Sequence, residues 1–262
     1  MTTPAEPATT DAAKTPAERP FQFRLVHLLV VVTIAGCCLA IAVPAFRLAR
    51  RRALEQQCSY NLKNLAIGLH NYHDIYGTFP PAYQCDPGGR PAHSWRVLIW
   101  NLLEAQPYYS QYDFAEPWNG PNNSKLAGHM SRVFRCPDDS TSPPQMTNYV
   151  AIVGPGTMWP GEGSTKFASL TDGSVNTLMI VEIAHSDIHW MEPRDLPIEE
   201  LAAWLDPNHR PQLLGNHIEG GLVAYADGHV ELLPRDVTIQ RLKALLTPAG
   251  NDVQEGMEAP GR

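Results

Sequence analysis

From Leu25 to Phe46 the chain is an almost unbroken run of apolar side chains, in which His27, near one edge, is the one ionisable group besides the thiols of Cys37 and Cys38. At about 1.5 Å of rise per residue, about 20 helical residues cross a hydrocarbon core of roughly 30 Å. The run is too long for an ordinary secretory core, and no A-x-A cleavage site follows it. Instead Arg47, Arg50, Arg51 and Arg52 come directly after. This pattern predicts a retained membrane helix. The periodicity then changes. Leu54, Cys58, Leu62, Leu65, Leu69, Tyr72 and Tyr76 recur in steps of four and three, which puts them on one stripe of a helix. Gly77 and the pair Pro80 and Pro81 end it. The pattern thus predicts one long helix, with a bend at Pro44, apolar all round in its first half and amphipathic in its second.

The remainder supplies elements for that stripe to pack on. Ser94–Leu103 suits a short helix, and residues 107–145, rich in Pro, Asn, Asp and Gly, read as irregular. Asn148–Val153 is β-rich, and Asn176–Glu182 reads as a buried strand. Leu222–Ala226 and His229–Leu233 flank Asp227 and Gly228, the strongest hairpin signal in the chain, and predict a type I′ turn with those two residues at its centre. Val237–Leu246 reads as a closing helix. No internal repeat of fixed period is visible.

Composition narrows the class. The chain has 262 residues, 44% of them hydrophobic, so it holds enough apolar material for a sizeable core. Its formal net charge of −7 argues against a general nucleic-acid binder, which would carry a basic face. Residues 1–22 lack an apolar pattern and read as a disordered tail, as do residues 248–262. The five cysteines form no C-x-x-C pair. Cys58, Cys85 and Cys136, outside the apolar run, permit one disulfide in any of three pairings, or three buried thiols.

Two stretches together carry a family resemblance. The first comprises Phe23–Val32, Pro44, Cys58–His73 and Gly77–Pro81; the second is His217, nine residues, then Asp227 and Gly228. The first looks like the N-terminal helix of type IV pilins and type II secretion pseudopilins. With the second, an H-X9-DG element, the chain is more closely similar to the DUF1559 family. Ser94–Ile99, Glu116–Trp118, Pro121–Asn123, Arg135–Asp138, Thr147–Tyr149, Leu170–Gly173, Asn176, Thr177 and Glu182 fall between them in that family's order. The resemblance covers residues 23–247. It implies an α+β, pilin-like fold: a transmembrane helix over residues 23–46 that continues into an ectodomain, residues 47–247, where it packs on an antiparallel β-sheet.

The departures from the pattern also carry information. Prepilin peptidase sites resemble Gly, then Phe, then Glu at the fifth mature position. With Phe23 as the first residue, Gln22 stands in the glycine's place and His27 in the glutamate's. In pilins that buried carboxylate pairs with a neighbouring subunit's amine, a role His27 cannot fill. The chain is therefore expected to escape trimming and to have lost filament assembly. Orientation draws opposite answers. Lys14, Arg19 and Arg24 precede the span while Arg47, Arg50, Arg51, Arg52 and Lys63 follow it, which favours a cytoplasmic C-terminus. The resemblance places that domain outside, and it is followed here: a single-pass protein of the inner (cytoplasmic) membrane.

The search for chemistry finds no G-x-S-x-G, H-E-x-x-H, Walker A or EF-hand loop. His217-Ile218-Glu219 echoes a deaminase H-x-E without the accompanying P-C-x-x-C. His185 and His189 would suit a metal only on a helix, and a loop is expected there. No catalytic residue and no cofactor is called for. His217, Asp227 and Glu182 make a candidate divalent-cation site, beside the plainer reading of the H-X9-DG element as a folding motif. The major pseudopilins of the related fold bind calcium in a C-terminal loop, which the resemblance extends to this chain by analogy only. Trp95, Trp100, Trp118, Tyr108, Tyr109 and Tyr112 read as core or as a glycan- or partner-facing surface. The expected function is a non-enzymatic, pilin-like or pseudopilin-like membrane protein with a structural or interaction role at the cell envelope. Its expected partners are the membrane and envelope proteins or pilin-like subunits, not nucleic acid. The alternative is a membrane-tethered module whose ectodomain binds a divalent cation or a carbohydrate.

Overall fold

A computed structural model describes residues 25–103, 107–209, 212–215 and 217–249. The tail expected over residues 1–22, Phe23, and residues 250–262 of the tail expected over 248–262 lie outside the described residues. The chain divides into two units, one ending at Leu48 and the other beginning at Ala49.

The described part of the first unit is a single stretch of helix. It belongs to α1, Leu25–Tyr76, which continues through Pro44. A proline inside a helix removes one backbone hydrogen bond and crowds the carbonyl four residues back, and the helix nevertheless runs through it. Its apolar window has a mean hydropathy of 2.6, and none of it is buried. The described residues thus contain one helix long and apolar enough to cross a membrane.

In the second unit α1 turns amphipathic, as the stripe predicts. Cys58, Leu62, Leu65 and Leu69 are fully buried, joined by Asn61, Ala66 and Gly68. Each buried leucine contributes about 1.5–3 kcal/mol. The stripe stops earlier than expected: Tyr76 is 62% exposed, being the last helical residue, beyond the reach of the core.

The strands follow in chain order as β1 (Tyr83–Cys85), β2 (Pro91–Ser94), β3 (Tyr149–Val150), β4 (Ile152–Val153), β5 (Leu178–Ala184), β6 (Leu196–Pro197), β7 (Gln212–Leu213), β8 (Gly220–Tyr225) and β9 (Val230–Pro234). The central sheet runs β3-β5-β8-β9, all neighbours antiparallel, with β7 pairing the far end of β5. The β-rich run Asn148–Val153 is two strands, not one: β3 joins the central sheet while β4 pairs in parallel with β6.

Period-two alternation distributes the sheet residues between two cores. Tyr149, Ala151, Ile180, Leu222 and Ala224 share one cluster with the buried face of α1. Val150, Ile152, Val181, Ile183, Val223 and Tyr225 join the other, with Leu201 and Trp204 of α3 (Leu201–Trp204) and Leu242 and Leu246 of α4 (Ile239–Leu246). The sheet therefore has helices on both faces, which is why β5 and β8 are buried along their whole length. Thr238 caps α4 by accepting the Arg241 amide hydrogen.

The short helix expected over Ser94–Leu103 is α2 (Trp95–Leu98) followed by a 3-10 turn, Trp100–Leu102, with Ser94 as its N-cap. Within it Arg96 is fully buried and paired at 2.7 Å with Asp195. The stretch 107–145 is irregular apart from 3-10 turns, as its composition implies.

The hairpin is present, but its turn is of a different type. Ala224 pairs with Val230, and Tyr225 N–H donates to the His229 carbonyl, so three residues, Ala226 to Gly228, form the loop. Gly228 has φ 89°, whereas Asp227 is not among the described non-glycine residues with positive φ. A three-residue loop of this kind is built from a type I turn closed by a left-handed glycine, not from a type I′ turn. Asp227 Oδ1 accepts the His229 amide hydrogen at 3.0 Å, a local bond compatible with the ordinary backbone region.

Candidate polar site beneath the sheet

The face of the sheet turned to α1 is apolar except at β5, where Glu182 falls in register opposite Tyr149 and is fully buried. Burial of a carboxylate requires partners. Its Oε2 accepts the Leu222 amide hydrogen at 3.0 Å and lies 3.2 Å from His217 Nε2. Its Oε1 has no hydrogen-bond partner, an exception that calls for an explanation in a buried group.

His217 sits just before β8 and is 4% exposed. Its amide donates to the Gly220 carbonyl, and its own carbonyl accepts from the Arg235 guanidinium at 2.6 Å. Its Nδ1 faces Asp138 Oδ2 at 3.6 Å. Burial by itself would depress the imidazole pKa; the Glu182 hydrogen bond and the charges of Glu182, Asp138 and Glu55 outweigh it and hold the pKa above the ordinary value.

Two further elements bring sulfur to the same place. Cys58 comes from the buried stripe of α1 and Cys136 from the loop after the 3-10 turn Arg132–Phe134; they form a disulfide with a Cα–Cα distance of 5.2 Å. Cys136 Sγ lies 4.0 Å from His217 Nε2. The loop is pinned by Asn61, which donates to the Arg135 carbonyl at 2.8 Å, and by Asn148, whose Oδ1 accepts the Cys136 amide hydrogen at 3.0 Å. Tyr149 closes the group, its hydroxyl 3.5 Å from the Cys58 carbonyl; burial first, then Glu182, drives its pKa well above the phenol range. A cleft of about 400 Å3 opens nearby, lined by Gln57 and Asn61 of α1 and by Met130, Arg132, Arg135 and Pro137.

The structure thus unites two of the three residues proposed from the sequence, Glu182 and His217, with two cysteines that the sequence left in three open pairings. Asp227 does not join them in the described structure. It sits in the hairpin loop, where Oδ1 contacts His229 Nδ1 at 2.6 Å. Ligand atoms of Cys58, Cys136, Glu182 and His217 all lie within 4.8 Å of one another. One signal for the cysteines was present in the sequence: Cys58 occupies the apolar stripe, and Cys136 lies in a segment with Asp138. Nothing in either pattern says that the two meet.

The other candidates resolve into structural roles. His185 and His189 lie off any helix. His185, at φ 53°, bonds Thr141 Oγ1, and His189 stacks on Trp118 at 5.0 Å. Trp95 and Trp100 are core; Tyr112 is buried on His93 Nδ1 at 2.8 Å; Tyr108 is 39% exposed and stacks on His129.

A family model described as a protein of unknown function (DUF1559) matches residues 45–163. The matched segment contains Cys58 and Cys136 and ends before Glu182 and His217. No curated protein and no solved structure matches the chain.

Proposed function

We propose, from the match of residues 45–163 to the DUF1559 family model, that the chain is a member of that family and a membrane-anchored, pilin-like protein with a structural or interaction role at the cell envelope. The observation that carries this reading is the two-part character of α1. Its N-terminal part exposes a continuous apolar surface on which none of the described residues packs. Its C-terminal part, with Cys58, Leu62, Leu65 and Leu69, builds the core of an α+β domain. An exposed surface of that hydropathy needs lipid around it.

The proposal places a single span in the cytoplasmic membrane with the domain outside the cytoplasm. The Cys58–Cys136 disulfide supports that orientation, because such bonds persist in oxidising compartments. The proposal gives the buried site no catalytic role; its acid, imidazole and sulfurs are closed off from solvent. The proposed partners are envelope proteins or pilin-like subunits. The test is crosslinking in intact cells followed by purification of the full-length protein from native membranes. Recovery in a defined multi-subunit envelope complex is expected; a protein that is recovered alone under conditions that trap a known membrane complex would contradict an interaction role.

A further inference from the structure

We propose that Cys58, Cys136, Glu182 and His217 form a zinc-binding site when the two cysteines are thiols, so that the same four side chains hold either a disulfide or a metal ion and never both. This goes beyond the anchoring role and neither stands nor falls with it.

Three observations carry the inference. The first is the donor set. Two sulfurs, one imidazole nitrogen and one carboxylate oxygen, from four separate segments, converge within 4.8 Å. Zinc prefers four ligands of this kind in a tetrahedron, with bonds of about 2.3 Å to sulfur and about 2.0–2.2 Å to nitrogen and oxygen. Those bonds put neighbouring ligand atoms roughly 3.3–3.8 Å apart. His217 Nε2 already stands beside the Glu182 carboxylate, 3.2 Å from its Oε2, and 4.0 Å from Cys136 Sγ, so the imidazole, the carboxylate that carries the free Oε1 and the sulfur are neighbours before any ion arrives. Reduction frees the sulfurs to separate to the required spacing.

The second observation is the orphaned Glu182 Oε1, fully buried and without a partner. Oε2 is held by the Leu222 amide. The free lone pairs of Oε1 are those that a metal would engage. The third is the surroundings of His217. Nε2 faces the cluster while Nδ1 lies 3.6 Å from the Asp138 carboxylate, just outside hydrogen-bond distance and on the side from which a carboxylate orients a ligating imidazole.

The chemistry balances simply. A dithiol reductant gives two electrons and two protons to the S–S bond, yielding two thiols and its own disulfide. Zinc then binds the two sulfurs as thiolates, together with Glu182 and the neutral His217, releasing the two thiol protons and any proton carried by the imidazole. Oxidation by a disulfide of suitable potential runs the exchange backwards and expels the ion. Calcium, which takes six to eight oxygens, is not a candidate for this set.

The test uses the full-length protein in detergent, reduced with a phosphine, with loss of the disulfide checked by thiol counting. Cobalt(II) stands in for zinc as the probe. The expected result is one cobalt per chain, with thiolate-to-cobalt charge transfer and tetrahedral visible bands, displaced by zinc and absent from the oxidised protein. A variant with Cys37→Ser, Cys38→Ser and Cys85→Ser should keep the full signal. His217→Ala should abolish tight binding. His217→Cys, which restores a ligand, should recover it with stronger charge transfer, separating loss of a ligand from loss of the fold. Asp138→Asn should weaken binding by roughly 10–100-fold. A fully reduced wild type that shows no charge-transfer band overturns the proposal. So does a band that survives in His217→Ala or vanishes in the triple serine variant.

Discussion

Arg96 is the most exacting place to test the structural reasoning. Its guanidinium has no exposed surface, and the Asp195 side chain beside it is 2% exposed. Nε donates to the Trp190 carbonyl at 3.1 Å. One terminal nitrogen donates to Asp195 at 2.7 Å and reaches the Tyr149 carbonyl at 3.5 Å; the other donates to the carbonyls of Glu192 and Arg194. Asp195 Oδ1 also accepts the Ala151 amide hydrogen and the Trp95 indole hydrogen. Arg96 thus fastens the segment 190–195 to α2 and to the start of the sheet. Arg96→Met keeps most of the volume and removes every donor. It leaves a buried carboxylate unpaired and several carbonyls orphaned, a loss of about 3–5 kcal/mol. Against a total stability of roughly 5–15 kcal/mol, that is a large fraction. Adding Asp195→Asn removes the stranded charge and keeps an oxygen for Ala151 and Trp95. The double variant should therefore be less destabilised than the sum of the two single ones, by about 1–3 kcal/mol. Urea unfolding of the full-length protein in detergent, followed by tryptophan fluorescence, reads all four corners of the cycle. An Arg96→Met cost below about 1 kcal/mol, or strict additivity, would refute the argument that a buried pair organises this region.

Three further outcomes are expected. Gly228→Val should cost about 1–3 kcal/mol, because a β-branched side chain is forced to φ 89° with Ala66 Cβ and His70 Nε2 already at 3.9 and 4.0 Å from the new Cβ; an unchanged melting temperature would rule the closing glycine out as a constraint. The Asp139 carboxyl, which burial alone would raise, is brought down to about 2 by Ser142, Thr141 and Asn148 from an ordinary 3.8. Its folded value lies below its unfolded one, so about 2 kcal/mol of stability is present above pH 3.8 and is lost as pH falls from there toward 2; acid titration of unfolding should show this slope in wild type and not in Asp139→Asn, and equal slopes would disprove the assignment. Mass spectrometry of the native protein should find no N-terminus at Phe23, since Gln22 and His27 break the peptidase motif; a methylated Phe23 terminus would reverse that reading.

Much of the fold is legible from period and punctuation. The stripe from Leu54 to Tyr72, the buried strand at β5 and the hairpin of β8 and β9 each follow from local spacing, and each is present. The misses share a cause. Tyr76, the split between β3 and β4, and the loop type at Asp227 depend on which partner each segment meets, and local pattern does not record that. The site shows the same division. Glu182 reads as one more position in an apolar strand, and only the pleat that turns it toward α1, with Cys58 above and His217 beside it, makes it part of a cluster. The H-X9-DG spacing groups Asp227 with His217 in sequence, yet the nine residues between them include the whole of β8 and carry Asp227 to the far end of that strand from His217.

The central claim is that α1 anchors this domain in a membrane, and alkaline carbonate extraction of native membranes tests it most directly. The wild-type protein should stay with the lipid pellet. Val32→Asp with Leu39→Asp should shift it to the supernatant or prevent its insertion, since a charge at the centre of a span costs about 2.5–3.5 kcal/mol. Release of the wild-type protein by carbonate would show that α1 is no membrane anchor.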